Sequence, residues 1–392
     1  MIVHTAPGSE VVGAALAVRV GSRSETTSWS GLAHLAEHVA CGDRTPAAEA
    51  LTAVGGTCNA VTQPDFTLYH GVVDAERGEV LLDRLLEVLC ATGGTEERIR
   101  GEVAIVTDEL SAAVDGAVMG GFPWLWLPAA LYDEPEFAHN GYGDLESLGR
   151  VTPEVLAGFF ARHYVADNAV LAVSAPDPEP LVAHLRTARP RRGPARRDDT
   201  GLPRVTPAAP TRLAAPEQPH QATAVAWSLP HEPLSPGHLA AAVLADVLVG
   251  PDDGVLEDAL PEALEVAAYV GPFADPWGVA APLPFVVEVH HEADRDPAEV
   301  PGEVADVLRL DELDDVLVAA AAGRLATALR QRLADPVDLP LLAVAAELVH
   351  GGVERLAAVP AELARVGRSD VRAAAAGLAG SAHRVLTRGP RP

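Results

Sequence analysis

The chain has 392 residues, of which 48% are hydrophobic and 21% charged, with 34 glycines and 33 prolines. This composition excludes collagen, coiled-coil and disordered classes and predicts two or three globular domains. Its 29 basic and 55 acidic residues leave a net charge of −26, which argues against a nucleic-acid partner and suits a basic peptide better. Every basic residue is Arg, a bias expected of a GC-rich, bacterial genome. Three cysteines, Cys41, Cys58 and Cys90, form no CxxC, so neither a disulfide framework nor a thiolate zinc site is expected. With no leader-like N-terminus and no apolar run of about 18 residues, the expectation is a soluble, cytoplasmic protein without a membrane partner.

The apolar run Val11 to Val20, ending at Gly21, reads as a buried strand, and the next element is a helix around Leu32 to Ala40. Thr45 caps a second helix with Pro46 at its first position, and Gly55-Gly56 stops it. Residues 57–73 return to strand chemistry, broken by the turn residues Gln63, Pro64 and Asp65. Helices follow at about Ala75 to Cys90 and Thr95 to Val114. Residues 115–150 lack periodicity and read as a long structured loop, in which Trp124 and Trp126 either pack or line a substrate cavity. A helix capped by Thr152-Pro153, a strand from Asn168 to Ser174 and a helix from Glu179 to Ala188 complete a domain at 1–188.

The Pro- and Arg-rich stretch 189–212 is expected to be a linker. In the remaining domain, 213–392, the order partly repeats. Strands fall near Ala222 to Leu229, Val266 to Val270 and Phe285 to His290, helices near Pro236 to Val249 and through Ala298 to Ala376, and a last strand at His383 to Thr387. This predicts an α+β protein of two similar domains, each a mixed or antiparallel sheet with helices mainly on one face.

The segment Gly31-Leu32-Ala33-His34-Leu35-Ala36-Glu37-His38 holds an HxxEH pattern on a predicted helix. His34 and His38 lie one turn apart on one face, so two imidazoles can converge on one cation, with Glu37 beside them to act on a water. A catalytic zinc also needs a third protein ligand. Glu102 and Glu109, seven residues apart on the later helix, share a face and offer one. The second half has Pro236-Gly237-His238-Leu239-Ala240-Ala241 where such a motif might repeat, so zinc is expected in the first domain only.

The run GLAHLAEHVACGDRTPAAEALTAVGGTCNAVTQPDFTLYHGVV, followed by EERIRGEVAIVTDEL and then GDLESLGRVTPEVLAGFFARHYVADNAVLAVSA, resembles the M16 (pitrilysin) family of zinc peptidases. The likeness is to its short two-domain branch, which includes the mitochondrial processing peptidase, and it continues more weakly through DPWG around Trp277. The resemblance implies a duplicated LuxS/MPP-like metallohydrolase fold. It also implies one Zn2+ per chain, held by His34, His38 and Glu109, with Glu37 as general base and Glu102 as supporting carboxylate. Asn59 and Tyr269 are implied to hold the substrate peptide.

One departure bears on function. Family members that process substrates carry an Arg a few residues before that Tyr, and here Glu262 stands in its place. The expectation is therefore a zinc endopeptidase acting on extended peptides, leader or targeting segments among them, as the catalytic subunit of a heterodimer. Its homologous partner would supply the missing Arg. The rival expectation is a non-catalytic structural or recognition subunit of the same fold.

Overall fold

Seven of the eight residues of Val11–Val18 are buried, which places this strand in the middle of a sheet covered on both faces. The computed structural model describes residues 1–42, 45–115, 121–194, 205, 209–214, 220–251 and 254–390. The first sheet contains β1 (Ile2–Thr5), β2 (Val11–Val18), β3 (Thr57–Thr62), β4 (Thr67–Asp74) and β5 (Ala169–Ala175), in the order β1-β5-β2-β4-β3. β1 runs parallel to β5, and the other pairs are antiparallel.

The second sheet contains β6 (Thr211–Ala214), β7 (His220–Leu229), β8 (Glu265–Val270), β9 (Leu283–Glu292) and β10 (Arg384–Gly389), in the order β6-β10-β7-β9-β8. Adding five to each strand number turns the first order into the second, and the one parallel pair, β6 with β10, recurs in the same place. The chain is thus an α+β protein with a duplicated sheet topology. Among the described residues no helix is long and apolar enough to cross a membrane.

The predicted helices form as α1 (Leu32–Cys41), α2 (Pro46–Ala53), α3 (Gly78–Glu87) and α4 (Glu96–Asp115). Thr45 Oγ1 accepts from Ala48 N at 3.2 Å, the expected cap of α2. Two elements were not legible. β1 and β6 are four-residue edge strands, too short to show a period, and β6 begins inside the stretch expected to be linker. The start of that stretch is also tied down: Arg192 pairs with Asp167 at 2.5 Å, and Ala166 N donates to Arg191 O at 2.8 Å. Residues 195–204 and 206–208 of the expected linker lie outside the described residues.

Two compact units emerge, and neither is a continuous stretch of sequence. The first is Met1–Leu110, Gly141–Thr200 and Gln331–Glu354, and the second is Ser111–Asn140, Gly201–Arg330 and Arg355–Pro392. In the first unit, one face of the sheet buries Leu16, Tyr69 and Val173 with Leu35 of α1, Leu81 and Leu85 of α3 and Phe160 of the helix Pro153–His163. Its other face buries Ala15, Ala17, Phe66 and Leu68 under the helix Asp338–Ala345 and the turn after it. In the second unit, Ala222, Ala224 and Val286 are covered by Phe122, Leu127, Leu131 and Phe137 from the loop expected at 115–150. Trp124 and Trp126, partly buried, pack against that same cluster.

The turn before the helix Asp338–Ala345 comes so close to β2 that a Cβ on Gly13 would lie 2.3 Å from Pro336 O and 2.9 Å from Val337 Cα. Both are backbone atoms and cannot rotate away. Gly13→Ala is expected to lower unfolding stability by about 1–3 kcal/mol through overpacking, read as a shift of the urea midpoint at unchanged slope.

Candidate metal centre

α1 is buried on almost every side. Leu32, Ala33, Leu35, Ala36, Glu37, Val39 and Ala40 are buried, and the stripe His34, His38, Cys41 is the partly open one. That stripe faces α4. His34 Nε2 and His38 Nε2 are 3.2 Å apart, and Glu109 Oε2 lies 3.5 Å from the first and 3.4 Å from the second. An ion held tetrahedrally at about 2.0–2.1 Å separates its ligand atoms by roughly 3.3 Å, so these three atoms describe one face of such a site. Among the described residues this is the one group of histidine, cysteine and carboxylate side chains arranged to hold a metal ion.

The surroundings keep the set in a ligating form. Burial, and then the neighbouring His38, push the His34 pKa down to about 4, so its imidazole is neutral near pH 7; the Tyr142 carbonyl opposes this shift. Glu102 Oε2 stands 3.6 Å from His38 Nδ1, on the side of the ring away from Glu109. A carboxylate there orients the imidazole from behind. The Tyr142 ring meets the His34 ring edge-on at 5.5 Å.

Glu37 lies on the same helix, and its Oε2 accepts from Thr62 Oγ1 of β3 at 2.6 Å. Its pKa is raised, chiefly by burial, with Thr62 and His38 opposing. Thr62 is a site residue that sequence reasoning missed. The signal was available: Cys58, Ala60 and Thr62 alternate inward on β3, whereas Thr57, Asn59 and Val61 are exposed. Asn59 is therefore on the opposite face of β3 from Thr62, and its Oδ1 accepts from Ala60 N at 2.9 Å.

α1 is held at both ends. Glu25, itself buried, accepts from Gly31 N through Oε2 and from Ala33 N through Oε1, each at 2.7 Å. Gly31 has φ +91°, and a Cβ there would sit 2.7 Å from Gly143 Cα and 2.8 Å from Tyr142 O, so only glycine fits. At the other end Arg98 Nη2 donates to Val39 O at 2.6 Å, and Arg84 Nη2 donates to Cys41 O.

The remaining expected residues belong to the second unit. Tyr269 donates its hydroxyl to Glu288 Oε2 at 2.8 Å, and Glu288 Oε1 is 2.7 Å from His290 Nε2. The Trp124 ring lies 5.1 Å from that of Tyr269. Glu262 is exposed and lines a cavity of about 410 Å3 with Arg295, Glu303 and Asp306; Arg295 is paired with Glu303 at 2.5 Å. The structure thus gathers His34, His38, Glu109, Glu102 and Glu37 in the first unit, and places Asn59 on the outer face of β3.

Known proteins resemble this chain in part of its sequence and in its fold. Residues 1–118 match the family model described as insulinase (peptidase family M16). The first 118 residues are therefore similar to peptidase family M16. It is 30% identical over 182 residues to an uncharacterized zinc protease of Mycobacterium leprae, a match covering 43% of this chain and 39% of that protein. The chain spans about two fifths of the length of the curated relatives it matches.

In fold, the chain is similar to a protease from Helicobacter pylori, with a TM-score of 0.83 at 16% identity, over 97% of this chain and 94% of the other. It is also similar to an inactive M16 peptidase domain from Pseudomonas fluorescens, with a TM-score of 0.81 at 17% identity, over 100% and 95%. The fold is therefore shared by a protein described as a protease and by a domain described as inactive, and fold alone does not decide activity.

Burial pushes the pKa of Glu25 up to about 8 from 4.5, against the two backbone N–H donors. A carboxyl whose pKa rises on folding stabilises most below its unfolded pKa and loses that contribution as pH climbs to the folded one. Relative to Glu25→Gln, the metal-free protein should therefore be most favoured below about pH 4.5 and lose ground steadily to about pH 8. Paired denaturation curves across that range check the sign.

Proposed function

We propose that this chain is the zinc-bearing subunit of a heterodimeric endopeptidase that cleaves extended peptides, and that a homologous second chain supplies the arginine missing at Glu262. The observation that carries this reading is the triangle of His34 Nε2, His38 Nε2 and Glu109 Oε2, with edges of 3.2 to 3.5 Å. Zinc held by these atoms would supply a Lewis acid for the scissile carbonyl. The neutral His34, oriented His38 and partly exposed Glu109 leave one side of the triangle open to substrate.

Glu37 is the base. Burial favours its protonated form, so a proton taken from the attacking water at its carboxylate is retained long enough to be handed to the leaving amine. Thr62 holds one oxygen of that carboxylate in place. The peptide adds as a strand to β3, the edge of the first sheet. Gln63 N donates to Phe66 O at 2.8 Å. Alternation along an antiparallel pair then turns the N–H and C=O groups of Cys58, Ala60 and Thr62 toward the open edge. Asn59 Oδ1 occupies the Ala60 N–H, the position an incoming peptide carbonyl would take.

The need for a partner rests on Glu262, since a carboxylate cannot donate to a substrate carbonyl, and on Tyr269, whose hydroxyl is already given to Glu288. The non-catalytic reading is the weaker one, because a scaffold has no use for three converging ligands beside a buried base. The net charge of −26 favours basic peptides.

Glu37→Gln should retain one zinc per chain while turnover falls by about 100-fold or more, whereas His38→Ala should lose both metal and turnover. Metal analysis beside a peptide-cleavage assay separates these outcomes, and normal cleavage by Glu37→Gln removes the assignment. Purification from the native host, followed by assay of each chain alone and mixed, tests the heterodimer: activity should appear on mixing, and full activity of this chain alone refutes the partner. Raising salt should slow cleavage of a basic peptide more than of a neutral one.

A further inference from the structure

We infer that Glu25 and Arg98 are positioning residues of the metal centre, which hold α1 by its two ends so that His34 and His38 meet Glu109 on α4. The inference rests on the metal-binding reading above and adds to it two residues that touch neither metal nor substrate.

The two ends are held differently. At the N-terminus, both oxygens of the Glu25 carboxyl group are used, one on Gly31 N and one on Ala33 N, each at 2.7 Å. Ala33 immediately precedes His34, so this carboxyl fixes the backbone at the first ligand. The first N–H groups of a helix have no partner within it, and a two-oxygen acceptor satisfies two of them at once while defining the axial position of the helix start.

At the C-terminus, the tie runs directly between the two ligand-bearing helices. Arg98 belongs to α4, four residues before Glu102, and its Nη2 donates to Val39 O of α1 at 2.6 Å while its Nε stands 4.0 Å from Glu102 Oε1. Val39 follows His38. One guanidinium therefore relates the backbone beside the second histidine to the helix that carries Glu102 and Glu109.

The geometry leaves little slack. The three ligand atoms lie 3.2, 3.4 and 3.5 Å apart, against roughly 3.3 Å for a tetrahedral ion. A slide of α1 along its axis by about 1 Å would carry both imidazoles out of reach of the position that Glu109 shares with them. The apolar packing of Leu32, Leu35, Ala36 and Val39 resists separation of α1 from the sheet but is less directional along the axis. The hydrogen bonds at the two ends supply that direction.

The test measures metal binding on the full chain, without peptide. Zinc affinity is read by competition with a chromogenic chelator, and ligand geometry by the visible spectrum of the Co2+-substituted protein. The variants are Glu25→Gln, Arg98→Ala and Arg98→Lys, with thermal unfolding of each metal-free protein in parallel. Arg98→Ala and Glu25→Gln should each weaken zinc by about 10- to 100-fold, the range for residues that orient ligands from behind, and should alter the Co2+ band. Arg98→Lys should recover part of the loss.

Wild-type affinity and an unchanged Co2+ band in both variants overturn the inference while leaving the metal site intact. A lowered melting temperature with unchanged affinity overturns it equally, because it shows a merely structural role. A wild-type chain that binds zinc no better than His38→Ala overturns the metal reading itself. Should Arg98→Ala fail to fold, Glu25→Gln and Arg98→Lys decide.

Discussion

Ten residues of α1 carry two imidazoles and a carboxyl group into a largely dry environment, and burying such groups is costly unless each finds a partner. The rest of the first unit can be understood as the set of partners that this helix demands. Thr62 answers Glu37, Glu102 stands behind His38, and the Tyr142 carbonyl faces His34. Glu25 takes the free amides at the start of the helix, and Arg98 and Arg84 take the free carbonyls at its end. The partners come from a loop, β3, α3 and α4, so the sheet and its covering helices act as the frame on which dispersed side chains are brought to one helix.

The chemistry-bearing residues were legible because their message is local. An HxxEH pattern needs only one helical turn to declare its geometry, and Glu102 and Glu109 need two. Both spacings survive folding unchanged because α-helices do not alter their pitch. Glu25 and Thr62 were not legible for the opposite reason. Glu25 acts on backbone amides after an intervening turn, and Thr62 acts across a strand-to-helix contact, so neither has a spacing that sequence alone can interpret. For Asn59, a motif position leaves open which way the side chain faces, and strand alternation decides it.

The strand framework was legible where strands are long and apolar, as in β2 and β7, and not where they are four-residue edges, as in β1 and β6. Among the described residues, the duplication does not extend to the candidate metal-binding set. α4 and the helix Asp315–Ala334 both have 20 residues and both come after the fourth strand of their sheets. The positions that hold Glu102 and Glu109 in the first are held by Ala321 and Ala328 in the second. His238, in the helix after β7, is fully buried, and its Nδ1 accepts from Leu234 N at 2.8 Å, which makes it a core histidine. One topology thus serves once as the frame of a candidate metal centre and once as a packed scaffold.

The two units exchange covering segments. The outer face of the first sheet waits for residues of Asp338–Ala345, and that of the second is covered by Phe122 to Phe137. During synthesis, the early half of the chain emerges with Ala15, Ala17, Phe66 and Leu68 uncovered until more than a hundred later residues have left the ribosome. The first unit, which includes Gln331–Glu354, therefore cannot be completed while the chain is half made, as domain-by-domain folding during synthesis would require. An early sheet formed before then would hold an apolar surface in the open, a state in which chaperone capture competes with aggregation. A protease nick in the connecting stretch, by contrast, would leave the finished protein held together by the borrowed segments.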